Sequence, residues 1–230
     1  MIVATLVFAV AQQPTFSDIV SSRLNDVSFS MAIESSKRSE LIKINKDFAM
    51  SYEAESGNVI YAEPMQLRLS TVYNGQEAVY IIKGDNKSWR IPRLKISGNE
   101  NVADKPGKRQ TMLDFGIITK WMAEKFLNAS YIRTDRDGAL IFDLTYQFKG
   151  DKSRHRVWVH PDRKYIMKRM WYNQHGQLMA TFEYTEPTQV NNVWFPTKLT
   201  VSNAEGKVAG VTRYRNIKIN SGVPASTFNF

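Results

Sequence analysis

Alternation of apolar and polar residues, cut at short intervals by turn residues, constrains this chain more than any other feature. Across residues 139–148, Leu140, Phe142, Leu144, Tyr146 and Phe148 fall on one side, and Ile141, Asp143, Thr145 and Gln147 on the other. Across 178–184, Leu178, Ala180, Phe182 and Tyr184 oppose Thr181 and Glu183. Across 41–52, Ile42, Ile44, Phe48, Met50 and Tyr52 oppose Lys43, Asn45, Asp47 and Ser51. A period of two over such lengths predicts strands in a sheet with one wet face. Asn74-Gly75, Gly84-Asp85-Asn86, Asp137-Gly138, His175-Gly176 and Glu205-Gly206 separate the runs and suit hairpins. The pattern predicts roughly ten or eleven strands in an antiparallel meander, because no βαβ alternation occurs.

Two segments change period. In residues 15–27, Phe16, Ile19, Val20, Leu24 and Val27 recur at helical spacing behind a capping Thr15 or Ser17. In residues 112–127, Leu113, Ile117, Trp121 and Leu127 also follow one another by about a turn or more, with Asp114 near the start. Residues 97–110 between strand and helix read as a long polar loop. The expected class is α+β, mainly β: a curled antiparallel sheet with helices burying their apolar sides against it.

The first eleven residues, Met-Ile-Val-Ala-Thr-Leu-Val-Phe-Ala-Val-Ala, are uncharged and end in a small-x-small triplet. They read as a signal peptide without a basic leader, followed by a single domain over 12–230. No apolar run approaches the roughly 20 residues of a spanning helix. An exported, soluble, periplasmic chain is expected, and the absence of cysteine suits that compartment. Zero cysteine also excludes thiol catalysis, Cys-ligated zinc, iron–sulfur clusters and disulfide staples.

Chemistry is thin. His155, His160 and His175 are scattered, and His155 and His160 point to opposite faces of a strand, so they read as exposed loop and strand-end residues. No nucleophile elbow, zinc-helix, P-loop or dinucleotide motif occurs. The expectation is no enzyme, no metal and no cofactor. The net charge of +9 includes two dense basic runs, 105–109 and 149–156, both read as solvated loops rather than a nucleic-acid footprint. Twelve Phe, ten Tyr, five Trp and nine Met favour binding instead: a helix-plugged curled sheet lined by such groups suits acyl chains.

Several stretches, weak alone, follow one another in a recognisable order. They are Val59-Ile-Tyr-Ala-Glu-Pro64-Met-Gln-Leu67-Arg68-Leu69, the hairpin from Val72 to Tyr80, the helix of 112–127 with the strands after it, and Trp158-Val-His-Pro161. Trp194-Phe195-Pro196-Thr197-Lys198 and Val223-Pro224-x-x-Thr227-Phe228 complete the series. In this order they resemble the LolA-like outer-membrane lipoprotein-sorting carrier family over nearly all of 15–230. The resemblance implies an incomplete barrel of about eleven strands, with helices as a lid over an apolar concave face that shelters acyl chains of a lipoprotein or lipid. It places the cavity and lid at Ile42, Phe48, Met50, Leu67, Leu69, Phe115, Ile118, Trp121, Leu140, Phe142, Phe182 and Leu199. The family's lid-latching arginine, before the strand-ending proline, is Glu63 here, so Glu63 and Arg68 are the latch candidates. Implied partners are acylated lipoprotein and the lipoprotein-transfer proteins of the inner and outer membranes. The alternative function is an envelope sensor of the same fold that binds lipoprotein, or an acidic polymer through Lys105, Lys108 and Arg109, and signals to a protein partner.

Overall fold

A computed structural model describes residues 12–54, 56–73 and 75–230. The apolar segment 1–11, and with it the predicted signal peptide, lies outside the described residues, as does Asn74 of the predicted Asn74-Gly75 turn. The first half comprises β1 (Asp26–Ser36), α1 (Arg38–Ile44), α2 (Lys46–Ser51), β2 (Ser56–Ala62), β3 (Gln66–Tyr73), β4 (Gln76–Lys83), β5 (Asn86–Ile91) and β6 (Ile96–Asn101). The second half comprises α3 (Lys120–Lys125), β7 (Leu127–Thr134), β8 (Leu140–Tyr146), β9 (Arg154–Val159), β10 (Ile166–Tyr172), β11 (Leu178–Thr185), β12 (Thr188–Val190), β13 (Val193–Phe195), β14 (Lys198–Asn203) and β15 (Val208–Ile219).

Thirteen of these strands form one antiparallel sheet in the order β6-β5-β4-β3-β2-β1-β15-β14-β11-β10-β9-β8-β7; β12 and β13 form a separate hairpin. Two meanders meet where β1 pairs with β15, the two longest strands. The sheet stays open, with β6 and β7 at its edges. Register shifts within β1–β15, β7–β8, β9–β10, β10–β11 and β14–β15 act as bulges, which bend a sheet.

The main core lies on the concave face. Strand register aligns Phe29, Val59 and Leu69 across β1–β3, and Phe142, Val157, Arg169, Phe182 and Val201 across β8–β14. Ile19, Leu24, Leu41, Ile44, Met112, Phe115, Ile118, Met122 and Phe195 close over it from the covering segments. Phe29 sits at the centre, with ring centroids 5.1 Å from both Phe115 and Phe195 and 5.2 Å from Tyr214. A smaller cluster of Val79, Ile81 and Phe228 occupies the other face beneath the C-terminal turn, Ala225–Phe228.

Several predicted elements are corrected. Residues 41–52 are helical, not a strand. Leu41, Ile44 and Ala49 point inward at helical spacing, and Asn45 caps α2 by accepting from the Phe48 amide. The helix expected over 15–27 is one 3-10 turn, Phe16–Ile19, after which the chain turns at residues 22–23 and enters β1; its apolar spacing marks burial of Ile19, Val20 and Leu24. The helix expected over 112–127 is broken at Gly116, whose φ of 83° ends the turn Met112–Phe115. Ile117 then bridges to Tyr165, and α3 starts afresh behind Thr119. The polar loop of 97–110 begins as the edge strand β6, which pairs with β5 through all of its residues.

Candidate functional site

The interface between the concave face and its cover holds most of the predicted cavity residues. Leu67, Phe115, Ile118, Leu140, Phe142, Phe182 and Leu199 are buried in the main core, and Phe48, Leu69 and Trp121 are partly buried against it. Phe48 meets Phe182 at 5.9 Å across the gap between α2 and β11. Ile42 and Met50 stand apart: they project from the outer sides of α1 and α2 and are 45% and 58% exposed. Two clefts, of about 260 and 280 Å³, lie away from this interface, one beside Ile81 and Phe228 and one at the β5–β6 turn.

The two latch candidates face opposite ways. Glu63 accepts a long bond, 3.5 Å, from the Trp121 amide in the first turn of α3, so it does touch the cover. Beside it, the Tyr61 hydroxyl donates to Thr119 (3.2 Å); burial first, and then the Glu63 charge, push its pKa up. Arg68 reaches the other face, where it donates to the carbonyls of Thr227 (3.0 Å) and Asn229 (3.2 Å). It therefore holds the C-terminal turn rather than the cover.

A stronger tie joins cover to sheet further along. Arg169 of β10 is 4% exposed, its guanidinium lies 4.0 Å over the Phe182 ring, and it donates to Asp114 of the cover at 3.3 Å. Tyr184 donates to the carbonyls of Leu113 (3.2 Å) and Asp114 (3.3 Å), which ties the same turn to β11; burial pushes its phenol up to about 12 against the pull of Arg169. His155 is buried beside this group, a correction to its expected exposure: strand alternation places it inward with Val157 and Val159. Its Nε2 lies 3.1 Å from the Tyr146 hydroxyl, and its Nδ1, like the Arg169 Nε, has no partner among the described residues. Burial, reinforced by the Arg169 charge, pushes its pKa well below the ordinary imidazole value.

The two basic runs are also less free than expected. Arg109 is buried, paired with Asp85 and packed over the rings of Phe126 (5.0 Å) and Trp121 (5.4 Å). Lys105 and Lys108 both hold Glu100, at 2.9 and 3.3 Å. Arg154 and Arg156 lie on β9, not in a loop, and share Asp143 at 2.8 and 2.7 Å. Among the described residues no group of three or more His, Asp or Glu side chains is placed to hold a metal ion, and no helix is long and apolar enough to cross a membrane.

Comparison with solved structures relates this architecture to known folds. A domain from Vibrio parahaemolyticus described as an outer membrane lipoprotein-sorting protein superposes with a TM-score of 0.62, at 14% identity over 93% of this chain and 92% of that one. A LolA superfamily protein from Nitrosomonas europaea gives 0.59 at 14% identity, over 93% and 94%. The chain has the LolA-like fold. A DUF1329 family protein from Desulfovibrio piger shares it, with a TM-score of 0.61 at 12% identity over 92% of each chain. By sequence, a family described only as an uncharacterized protein matches residues 148–230, and no curated protein matches.

Within this LolA-like fold, Arg169 and Asp114 are the site residues that sequence reading passed over. The signal was present: Arg169 shares the inward parity of Met167 and Trp171, whereas the strand's other cation, Lys168, has the opposite parity. A charge at such a position needs a partner, and Asp114 supplies it.

Proposed function

We propose that this chain is a soluble periplasmic carrier that binds the acyl chains of lipoproteins or lipids between the concave face and its cover, for transfer towards the outer membrane. Residues 1–11 act as the export signal and 12–230 as the single carrier domain. The observation that carries the reading is the LolA-like fold over more than nine-tenths of this chain and its solved neighbours, combined here with a wide apolar sheet–cover interface. Aromatic, Leu, Ile and Met side chains line that interface, and burying acyl chains there is worth roughly 0.8 kcal/mol per CH₂. Side chains of the cover pack against the concave face, and acyl chains enter as the cover lifts. Lipoprotein-transfer proteins of the two membranes are the partners this role requires.

The sensor alternative binds either lipoprotein or an acidic polymer, the latter through Lys105, Lys108 and Arg109. All three are engaged by Glu100 and Asp85, which favours the carrier over the polymer-binding form.

The test is a titration with an environment-sensitive apolar dye, competed by a triacylated lipopeptide and by the same peptide without acyl chains. Displacement by the acylated form alone is the expected result. Absence of dye binding, or equal displacement by both peptides, rejects the carrier reading.

A further inference from the structure

Strand register sorts the turns between the two ends of the sheet. The β5–β6 and β14–β15 turns lie at the end where β1 finishes, since Ser36 pairs with Gly210, Val79 with Arg90 and Ile91 with Ile96. The chain enters α1 directly from that end, where the Lys37 amide donates to the Ala209 carbonyl at 2.8 Å. Seven large hydrophobic side chains are exposed among the described residues, and two of them, Leu94 and Ile96, stand together at the β5–β6 turn. Ile42 and Met50 lie on the helices, Val208 begins β15, and Leu94 and Ile96 form the β5–β6 turn.

The β5–β6 turn is a built feature. Pro92 opens a single 3-10 turn, Pro92–Leu94, and Lys95 closes it in the left-handed region with φ of 54°. Leu94 and Ile96, 51% and 48% exposed, therefore sit on a short, restrained tip instead of a slack loop. Arg90, Arg93 and Lys95 surround them, all exposed and without an ion pair among the described residues; Arg90 lies over the Phe230 ring at 4.9 Å. The adjoining strand β4 carries one carboxylate, Glu77. Elsewhere at this end Glu40, Glu53 and Glu205 are taken by Lys43, Arg38 and Lys207.

Exposed aliphatics ringed by unpaired cations fit one kind of partner. The geometry points to the β5–β6 turn as a docking surface for an anionic lipid bilayer. Leu94 and Ile96 enter the boundary between headgroups and acyl chains, while Arg90, Arg93 and Lys95 remain at the phosphates. Their attraction to the anionic surface is screened by salt. This docking is independent of acyl binding under the cover.

The test is co-sedimentation of residues 12–230 with vesicles of phosphatidylcholine alone or of equimolar phosphatidylcholine and phosphatidylglycerol. The protein is expected to sediment with the anionic vesicles only, and to be released as salt rises. Leu94→Glu combined with Ile96→Glu weakens binding by about ten-fold or more, as does Arg93→Glu combined with Lys95→Glu. Ile132→Glu, on the edge strand β7, leaves it unchanged. Thermal melts verify that each variant folds, and the apolar-dye titration, which reads the cover site, is expected to be unaffected by the turn variants. Equal binding to both vesicle types, no binding, or wild-type binding by both turn variants overturns the inference.

Discussion

Burying an imidazole beside a guanidinium fixes its charge state, and His155 shows the consequence. Folded His155 stays neutral because burial, reinforced by Arg169, holds its pKa well below the ordinary value, whereas in the unfolded chain it protonates near 6.5. Below about pH 6.5 the unfolded state binds the extra proton, so stability is full above that pH and falls as the solution is acidified. Between pH 7 and 5 this group alone removes up to about 2 kcal/mol. Urea unfolding at both pH values, with wild type and His155→Phe, is expected to show a smaller acid loss in the variant. Equal losses would mean that His155 is not buried neutral. His160, whose pKa burial also lowers, contributes to both proteins and cancels. The inward place of His155 was legible in principle, because it shares parity with Val157 and Val159. It was misread because Arg154 and Arg156 on either side make the segment look like a charged loop.

At the scale of elements, one glycine decides the cover. Gly116 ends the turn Met112–Phe115 with positive φ, and a Cβ there would stand 2.8 Å from the Tyr184 ring and 3.2 Å from Pro196. The same residue accepts from the Ile166 amide at 2.8 Å, which stitches the cover to the start of β10. Gly116→Ala combines left-handed strain with a ring clash and is expected to destabilise by about 2–3 kcal/mol in chemical denaturation. A change within about 0.5 kcal/mol would contradict this geometry. The helical reading of 112–127 failed at this glycine, although the apolar spacing around it was real. The reading of 41–52 failed for the opposite reason. Ile42, Ile44, Phe48 and Met50 alternate, but Leu41, Ile44, Phe48 and Tyr52 also satisfy a helix, and Asn45 was the cap that could have chosen between them. Short segments that fit both periods are settled by tertiary packing, which the sequence does not display.

For the whole molecule, the sheet was legible because long alternating runs and turn residues are local, and the family resemblance rested on the order of weak motifs along the chain. Whether the concave face is hollow or filled was not legible, because it depends on how side chains from distant strands share volume. That question bears on binding. Arg169 on the sheet holds Asp114 on the cover. Asp114→Ala leaves a buried guanidinium without its anion only while the cover is down; lifting the cover gives it water. The substitution therefore penalises the closed state against both the open and the unfolded states. Because Asp114 is partly exposed, the penalty should lie near 1–2 kcal/mol, below the figure for a fully buried pair. If the open form is the minor, binding-competent one, its population rises by the matching factor and apparent affinity improves by up to about ten-fold. Arg169→Met removes the charge and keeps the apolar contact with Phe182, so it should give no such gain. Dye titration and urea unfolding of the two variants measure both quantities. A destabilised Asp114→Ala protein with unchanged affinity would mean that ligands do not enter by parting this contact.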